Sequence, residues 1–510
     1  MRLFPMNLGQ TRVRLVEAGA VFVAVALVAG CGSQYRPVVT PINPSGPAAQ
    51  PTSLAVVVSA PSPTTPGIAT IIDYSGDTVM ATAPIGIGPT TFTLDGTGST
   101  GYTVNSDGTL TNFPASTSLQ AKNVSFSTLP TTAVPVGLFS PSSGLWISDL
   151  YGNVADVLLG SPETFKLSVP VAPTPTLTMG MGPGGERNYS ISLNSTTAQA
   201  NGIPIIPYDL TCNTPSQFPT LIANGQTGEA DAIETASFTV SARIPVGVCP
   251  AYALLSADQR RTFVLNRGSD TVTVINSQNN TLDSCVCPPT GCVNQNGQSY
   301  TCHPSLPLST SAGLAQDANN DVPAKAGPLY AEYNATTSQL VVADYDGNAI
   351  SVIDVSMDEY GNDSPTFGTT FTIPVGHSPA SVTALADGSR AYTANQADGT
   401  VTIVNLASHS VEKTLPVIGH PRTVVSTANS LYGKVYVASP DSPYLTILRT
   451  DLDIVDTTVL VQGNIVDVRV SSQNGSSSNN PNNISRKPGA GQPCYLPGTP
   501  ASLTACQTLP

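Results

Sequence analysis

FTIPVGHSPASVTALADGSRAYTANQADGTVTIVNLASHSVEKTLPVIG, residues 371–419, decides the fold of this chain. Its apolar residues fall in four short segments, and the third of these, TVTIVN, alternates apolar and polar residues as a half-buried strand does. Asp-Gly pairs between the segments suit the positive φ of tight hairpin turns. The stretch therefore predicts four consecutive antiparallel strands, which are 380–385, 391–395, 400–405 and 411–417.

The same pattern recurs along the chain with a nearly constant period. Gly376 in PVGHSP and Gly419 in VIGHPR lie 43 residues apart, and Gly463 follows 44 residues later. Four strands in a period of this length are typical of a β-propeller blade. Longer gaps between repeats indicate insertions, at 195–235, 288–326 and 357–367. The second strands align at Tyr102, Trp146, Tyr189, Phe263, Val341, Tyr392 and Tyr436.

The two ends of the repeat region together supply the four strands of one blade. Residues 53–59, 69–73 and 78–83 fit strands two to four of a blade that lacks its first strand, and residues 464–471 fit a first strand alone. We therefore predict an all-β propeller over residues 53–473, closed by pairing N- and C-terminal strands in one blade, which removes exposed sheet edges. The count is eight blades, with seven as the alternative because the unit around Tyr189 is rich in Pro and Asn.

The N-terminus predicts export. A basic start precedes a short apolar run (18–30), and the run ends in Val-Ala-Gly before Cys31. Small residues directly before a cysteine resemble the bacterial lipoprotein signal, which implies cleavage after residue 30 and lipid on Cys31. Stable membrane attachment follows from several acyl chains. Residues 31–52 are rich in Pro and Ser and read as a tether, and 474–510 read as a low-complexity tail.

The charge balance argues against nucleic-acid partners. The chain has a net charge of −13, which becomes −15 once residues 1–30, with three Arg and one Glu, are removed. Binding to phosphate backbones depends on Lys and Arg. Only 10% of the residues are charged, which fits an exported all-β protein.

Nine cysteines are present, and lipidation of Cys31 leaves an even number. In an exported protein this favours disulfides. Cys494 with Cys506 and Cys212 with Cys249 are candidate pairs. The remaining four, which the sequence does not pair, are Cys285, Cys287, Cys292 and Cys302.

The repeats resemble the YVTN β-propeller family, which includes lactonase-like and surface-layer propellers. TFVLN, AYTAN and VYVAS, each followed by a TVTVIN-like strand, carry the resemblance, together with the PVG links. It is clearest over residues 244–473. The family implies the propeller fold but not one activity, since one fold hosts many functions. The motif Asn is replaced by Asp149, Asp344 and Ser439.

One end of the ring is predicted to carry the function. In an antiparallel blade, the link from strand four to the next blade leaves at the same end as the turn between strands two and three. Loops on a rigid scaffold are where binding usually resides. The insertion 288–326 follows a predicted fourth strand and is expected at this end too. The candidate ligand residues are His377, His420, Arg267, Asp270, Asp346, Gln396, Asp398 and Asp441.

Metal sites are less favoured than their structural alternatives. The Cys insertion with His303 lacks the paired C-x-x-C knuckles of zinc sites, so two disulfides are preferred. Asp317, Asn319 and Asp321 resemble the start of a calcium loop, but the expected Gly and the Glu at its twelfth position are missing. No cofactor and no catalytic set is predicted.

Three functions follow from these patterns. The preferred one is a lipid-anchored, exported propeller that binds a protein, glycan or small molecule at the cell envelope, on the periplasmic side of a membrane or at the cell surface. The first alternative is a lactonase-like hydrolase that uses the channel mouth. The second alternative is a structural envelope component.

Overall fold

A computed structural model describes residues 54–130, 132–141, 144–181, 187–207, 212–284, 301–308, 326–427 and 433–471. Over these residues the chain forms eight antiparallel sheets, of which seven are built from consecutive strands and one joins the last strand to the first three. The prediction of eight four-stranded blades is confirmed. The signal 1–30, the tether 31–52 and the tail 474–510 lie outside the described residues.

The strands are numbered in chain order and the blades from the closing blade onward. Blade 1 is β33 (Asn464–Val470), β1 (Leu54–Ala60), β2 (Pro66–Asp73) and β3 (Val79–Ile87). Blade 2 is β4 (Pro89–Leu94), β5 (Thr100–Asn105), β6 (Thr109–Pro114) and β7 (Ser125–Thr128). Blade 3 is β8 (Pro135–Phe139), β9 (Leu145–Asp149), β10 (Val154–Gly160) and β11 (Glu163–Pro170). Blade 4 is β12 (Pro175–Met181), β13 (Arg187–Ser192), β14 (Gly228–Glu234) and β15 (Thr239–Val246).

The second half of the ring continues the pattern. Blade 5 is β16 (Pro250–Leu255), β17 (Arg261–Asn266), β18 (Thr271–Asn276) and a divided outer strand, β19 (Thr281–Leu282) with β20 (Ser305–Pro307). Blade 6 is β21 (Pro328–Asn334), β22 (Gln339–Asp344), β23 (Ala349–Asp354) and β24 (Thr370–Pro374). Blade 7 is β25 (Pro379–Ala384), β26 (Arg390–Asn395), β27 (Thr400–Asn405) and β28 (Ser410–Pro416). Blade 8 is β29 (Thr423–Ser426), β30 (Lys434–Ala438), β31 (Tyr444–Arg449) and β32 (Ile454–Leu460).

The terminal strands close the ring as predicted. Strand β33 pairs antiparallel with β1, from Ala55 opposite Val470 to Ala60 opposite Asn464. The innermost strands of successive blades contact one another all the way round, from β33 through β4, β8, β12, β16, β21 and β25 to β29 and back. Both ends of the chain are therefore held in one sheet.

The hydrophobic core lies between the blades. One continuous buried cluster takes residues from blades 3 to 7, among them Phe139, Leu177, Tyr252, Tyr330 and Val382. Each blade therefore shares its core with its neighbours and does not enclose one of its own. Among the described residues no helix is long and apolar enough to cross a bilayer.

The Asn that ends strand two organises the blade interior. In blade 7, the side-chain amide of Asn395 donates to the hydroxyls of Thr400 (3.0 Å) and Thr402 (2.8 Å) on strand three. Thr393 donates in turn to Asn395 Oδ1 (3.1 Å). Asn105 in blade 2 and Asn266 in blade 5 make the same pair of donations to two threonines. The motif Asn is thus a buried link between strands two and three.

The insertions differ from their predicted form. The insertion in blade 4 spans 193–227 between β13 and β14 and contains helices α1 (Thr196–Ala200) and α2 (Phe218–Ala223). Short 3₁₀ turns occur at Ala121–Asn123 and Pro215–Gln217. The residues between β23 and β24 form the insertion in blade 6. The cysteine insertion of blade 5 also differs from its predicted form, because the chain returns to the sheet at β20.

Candidate functional site

Two ends of the ring can be distinguished by their loops. We call the end that carries the interblade links and the turns between strands two and three the link end. The opposite end carries the turns between strands one and two and between strands three and four. All eight candidate ligand residues lie in links or turns of the link end, and His409 lies in the β27–β28 turn of the opposite end, stacked on Phe371.

Two histidines at the link end are each held by an aspartate. The Nδ1 atom of His377 lies 2.7 Å from Asp398 Oδ1, and the backbone N–H of the same histidine donates to Asp398 Oδ2 (2.6 Å). His420 and Asp441 repeat this arrangement one blade later, at 2.6 Å for the ring and 2.8 Å for the backbone. Although partial burial raises the pKa of Asp441, the hydrogen bonds from His420 outweigh it and lower that pKa.

The aspartates also fix the interblade link by accepting its backbone N–H, and this role does not need a histidine. In blade 5 the equivalent link residue is Val248, whose backbone N–H donates to the hydroxyl of Ser269 (3.1 Å). In blade 3 the backbone N–H of Val134 donates to Asp149 Oδ1 (2.9 Å). A side-chain acceptor that fixes the link is therefore a general feature of the blades. What distinguishes blades 7 and 8 is an imidazole oriented by the same carboxylate.

A third part of the link end is a chain of contacts across blades 4 to 7. Arg267 binds Asp346 through two hydrogen bonds of 2.8 Å. Its guanidinium also lies 5.1 Å from the ring centre of Tyr345 and donates to Asn213 Oδ1 (3.1 Å) in the blade 4 insertion. The hydroxyl of Tyr345 reaches Gln396 Oε1 (3.4 Å).

Asp270 fixes the link that leads into blade 6. Its Oδ1 accepts from the backbone N–H of Gly327 (2.9 Å), the residue that leads into blade 6. The structure therefore brings Arg267, Asp346 and Gln396 into one network and gives Asp270 a link-fixing role.

The blade 4 insertion is attached to the link end by a disulfide. Cys212 is bonded to Cys249, with their Cα atoms 5.5 Å apart, which joins the insertion to the link before blade 5. Around the disulfide, Leu193, Ile206 and Phe218 form a small buried cluster. This is one of the two candidate pairs from the sequence.

The cysteine insertion of blade 5 is not a single loop at the link end. Residues 305–307 form β20, which pairs with β18 and completes the outer strand that β19 begins. The chain therefore joins the outer edge of β18 twice, first at β19 and again at β20. The prediction that 288–326 opens as one loop at the link end is wrong in this respect, because buried Leu306 returns the chain to the sheet.

Half-buried His303 joins a cluster of buried charged side chains. Its Nδ1 lies 2.7 Å from Asp363 Oδ2, and Asp363 also accepts from Arg261 (3.1 Å). Arg261 is paired with Asp283 as well (3.2 Å). Burial raises the pKa of Asp283 to about 6. Cys302 is disulfide-bonded, so its sulfur is not a free zinc ligand.

No metal site is visible in the part of the chain that the structure describes, where no three His, Cys, Asp or Glu side chains are grouped to hold an ion. The calcium candidates Asp317, Asn319 and Asp321 lie outside the described residues. So do the remaining cysteines, Cys31, Cys285, Cys287, Cys292, Cys494 and Cys506.

Sequence reasoning missed a set of buried carboxyl groups inside the blades. In blade 4, Glu229 and Asp231 replace the two threonines of the Asn–Thr–Thr pattern, and Arg243 reaches both, at 3.0 and 3.3 Å. Burial raises the pKa of Asp231 to about 7. Burial also acts on Glu229, but hydrogen bonds from Thr196 and its other neighbours lower the pKa of this group. Aligning the third strands as well as the second would have revealed these substitutions.

Two further carboxyl groups are wholly buried. Asp156 occupies the second threonine position in blade 3, and burial raises its pKa to about 6. Asp344 occupies the Asn position in blade 6, and burial raises its pKa well above the ordinary value of 3.8. Each accepts one hydroxyl, from Ser168 and Ser351 respectively, and each has a second oxygen without a hydrogen-bond donor.

Comparison with known proteins shows the fold. No protein-family model matches the chain, and no curated protein matches it. Apo AztD from Citrobacter koseri superposes with a TM-score of 0.52 at 11% identity, covering 82% of this chain and 97% of that one. Dihydro-heme d1 dehydrogenase NirN, in complex with DHE, gives 0.52 at 12% identity, covering 86% and 78%.

A candidate 6-phosphogluconolactonase from Bacteroides fragilis is also similar, at 12% identity over 83% of this chain and 99% of its own, but its TM-score of 0.47 supports no argument. Identities this low establish shared architecture and nothing about activity. The chain is an eight-bladed β-propeller closed through its terminal strands.

Proposed function

We propose that this protein is a lipid-anchored, exported β-propeller that acts as a binding scaffold at the cell envelope, with the link end as its binding surface. The observation that carries the proposal is the concentration of oriented polar side chains at that end. His377 and His420 are each positioned by a carboxylate, and Arg267 joins an insertion to two further blades. A rigid scaffold that presents positioned groups on its loops is suited to recognition.

The solvent exposure of His420 and Asp441 supports a role for this pair in binding a partner. The side chain of His420 is 63% exposed and that of Asp441 is 47% exposed. A solvated imidazole that is held in one orientation loses little conformational entropy when a partner binds it, because its rotamer is already fixed. The link end is thus pre-organised for a partner.

The anchor and the family assignment belong to the same proposal. The lipoprotein-like signal before Cys31 places lipid upstream of a Pro-rich tether, and the chain enters the ring at Leu54, at the opposite end. Membership of the YVTN family is supported by the equal hydrogen bonding of Asn105, Asn266 and Asn395.

Pull-down from native envelope with the lipidated protein tests the binding role. The informative variant is His377→Val with His420→Val, because Val248 occupies the equivalent link position in blade 5 without loss of the link hydrogen bond. The expected result is loss of specific partners with an unchanged melting temperature. His409→Asn is the matched control, since that histidine lies at the opposite end and its positive φ of 51° suits Asn.

Unchanged partners in the double variant would overturn the link-end assignment. The same protein preparation, assayed against a lactone panel, addresses the hydrolase alternative: turnover that the double histidine variant abolishes would replace the scaffold proposal with an enzymatic one. The structural-component alternative predicts self-association and no partner that depends on the link end.

The anchor has an independent test. Metabolic labelling with a fatty-acid probe is expected to mark the wild-type protein and not Cys31→Ser, and the variant is expected in the soluble exported fraction. Labelling of the variant, or retention of both proteins in the cytoplasm, would contradict the anchor without touching the binding role.

A further inference from the structure

Four titratable or charged side chains join blade 5 to blade 6 at the opposite end of the ring. Arg261 begins β17, Asp283 follows β19, His303 precedes β20, and Asp363 lies in the insertion between β23 and β24. The side chains of Arg261, Asp283 and Asp363 are at most 3% exposed, and that of His303 is 27% exposed. We call these four residues the blade 5–6 cluster.

The two carboxyl groups of the cluster share one guanidinium nitrogen. Arg261 Nη2 lies 3.2 Å from Asp283 Oδ1 and 3.1 Å from Asp363 Oδ1, and it also donates to the carbonyl oxygen of Gly361 (3.1 Å). The backbone N–H of His303 donates to Asp283 Oδ2 (3.2 Å), and its Nδ1 lies 2.7 Å from Asp363 Oδ2. The cluster thus fastens the outer strand of blade 5 to the blade 6 insertion.

The charges of the cluster do not balance when both carboxyl groups are ionised and His303 is neutral. Two buried carboxylates then face a single guanidinium, which leaves one excess negative charge. Like charges in a buried site repel, and such a carboxyl pair favours holding one proton. Burial, opposed by Arg261 and reinforced by Asp363, raises the pKa of Asp283 from an ordinary value of 3.8 to about 6. One proton therefore neutralises the cluster.

Neighbouring elements carry charged groups that have partners of their own. On the blade 4 side, Arg187 pairs with Glu234 (2.8 Å). In the turn before β17, Arg260 lies 3.8 Å from Asp258. The end of β23 and the blade 6 insertion carry three acidic residues, of which the first two accept backbone N–H groups of the insertion: Asp354, Asp358 and Glu359.

We propose that the blade 5–6 cluster is a pH-responsive latch, which is closed while its two carboxyl groups hold one proton and loosens when that proton leaves. With the proton bound, the remaining carboxylate is balanced by Arg261. Without it, repulsion between the two carboxylates acts across the contact between the outer strand of blade 5 and the blade 6 insertion.

Opening of the latch admits water to the cluster and uncovers apolar side chains. Phe367 is 4% exposed and stacks on the His303 ring, with ring centres 5.2 Å apart, and Leu306 in β20 is 3% exposed. The latch lies at the opposite end of the ring, so it is independent of the binding role proposed for the link end.

The direction of the pH effect follows from the raised pKa of Asp283. A carboxyl group that binds its proton more tightly in the closed state favours closure at low pH, and this preference is lost as the pH rises from the open-state pKa to the closed-state pKa. These values are 3.8 and about 6. The equilibrium constant for opening is therefore expected to rise by roughly 100-fold between pH 4 and pH 6 and to be constant above.

Hydrogen exchange of the full-length protein measures this opening, read by mass spectrometry and corrected for the intrinsic rate at each pH. Peptides from residues 301–308 and 355–369 are expected to lose protection by roughly 100-fold between pH 4 and pH 6.5. Peptides from β26 and β27 in blade 7 are the internal reference. They are expected to stay more protected than the latch peptides at every pH, because the opening is local.

Asp283→Asn removes the titrating group and keeps an acceptor for the His303 N–H, so the latch is neutral at every pH. Protection of its latch peptides is expected to change by less than about threefold over the same pH range. Asp354→Asn is the matched control, because Asp354 is an acid at the same blade boundary that accepts the backbone N–H of Ser356. This variant is expected to retain the roughly 100-fold change.

Protection of the latch peptides that does not depend on pH in the wild type would overturn the latch. So would wild-type pH dependence in Asp283→Asn, or equal loss of protection in the reference peptides, since the opening would then be global. If Asp283→Asn does not fold, the wild-type profile decides: a loss confined to residues 301–308 and 355–369 supports the latch, and a loss shared with blade 7 contradicts it.

Discussion

At the scale of single residues, one hydroxyl decides in blades 2, 5, 6 and 7 whether an oxygen at the motif Asn position has a hydrogen-bond donor. Thr103 and Thr393 donate to the carbonyl oxygen of the motif Asn in blades 2 and 7. Blades 5 and 6 have Val264 and Val342 at that position, and there Asn266 Oδ1 and Asp344 Oδ1 lack donors. A buried acceptor without a donor costs about 1–3 kcal/mol.

Val342→Thr is expected to stabilise the protein by about 1 kcal/mol, because the new hydroxyl donates to Asp344 Oδ1 as Thr393 donates to Asn395. Val264→Thr, beside Asn266, is the matched comparison and is expected to give a gain of similar size, because each site leaves one buried oxygen without a donor. Chemical unfolding at neutral pH measures both. A destabilised Val342→Thr with a stabilised Val264→Thr would show that the hydroxyl does not reach the carboxyl group.

The raised pKa of Asp156 predicts that the free energy of unfolding depends on pH. Burial, offset in part by Ser168 and reinforced by Asp149, raises its pKa from an ordinary value of 3.8 to about 6. An acid with a raised folded-state pKa favours the fold while it is protonated in both states, and this stability is lost as the pH rises from the unfolded pKa to the folded one. The loss is therefore confined to the range between pH 4 and pH 6.

Asp156→Asn is expected to match the wild type in stability near pH 3.5 and to exceed it increasingly up to pH 6, above which the difference is constant. The expected slope over that range is about 1.4 kcal/mol per pH unit at most. Urea unfolding at a series of pH values is the measurement. A difference that is independent of pH would mean that Asp156 is ionised in the fold.

At the scale of elements, the outer strand of blade 5 shows how an insertion can be carried without loss of the sheet. Strand β20 pairs Leu306 with Val272 and Ser305 with Thr273, and it restores the edge that the short β19 leaves open. The residues between the two halves can therefore vary in length, because surface loops lengthen at small entropic cost.

Replacing residues 285–300 by a short Gly-Ser linker, with Cys302→Ser to avoid a free thiol, is expected to leave the melting temperature within a few degrees of the wild type. Extending the deletion through residue 308 is expected to lower it much further, because buried Leu306 and Leu308 are lost and β18 becomes an edge. Differential scanning calorimetry compares the two. Equal losses would show that β20 contributes little.

At the scale of the whole molecule, closure depends on one terminal strand. The side chains of Ile465, Val466, Val468 and Val470 in β33 are at most 5% exposed. At about 1.5–3 kcal/mol each, their burial contributes on the order of 6–12 kcal/mol. Typical folded domains are stable by about 5–15 kcal/mol in total. Loss of this strand is therefore comparable with the stability of the ring.

A chain truncated after residue 463 is expected to be unfolded or aggregated, as judged by circular dichroism and gel filtration. A circular permutant, with Ser471 joined to Leu54 by a short turn and new termini between residues 407 and 408, is expected to fold, because Ser471 already donates to the Leu54 carbonyl (2.8 Å). The permutant keeps strand β33 but has new termini, so comparing it with the truncated chain shows whether the strand or the natural termini are needed for folding. A folded truncation would show that the closing blade is dispensable.

Much of the architecture followed from local patterns in the sequence. Period-two alternation, Asp-Gly turns and the spacing of Gly376, Gly419 and Gly463 predicted the blades. The alignment of second strands gave a count of eight, with seven as the alternative, and the incomplete units at the two ends predicted the closure. Strand polarity alone then assigned His377, His420 and Arg267 to one end, because antiparallel order determines where each turn emerges. These properties depend on near neighbours, which a sequence records directly.

Only the tertiary structure decided which side chains meet. His303 binds Asp363, 60 residues away, and Arg267 binds Asp346, 79 residues away, across blade boundaries that no local pattern specifies. The return of the chain at Leu306 and the burial of Asp156 and Asp344 likewise depend on packing between blades. The sequence by itself determined the blade and its repetition, since both arise from backbone periodicity. The chemistry of this propeller arises where neighbouring blades pack, and that required the assembled ring.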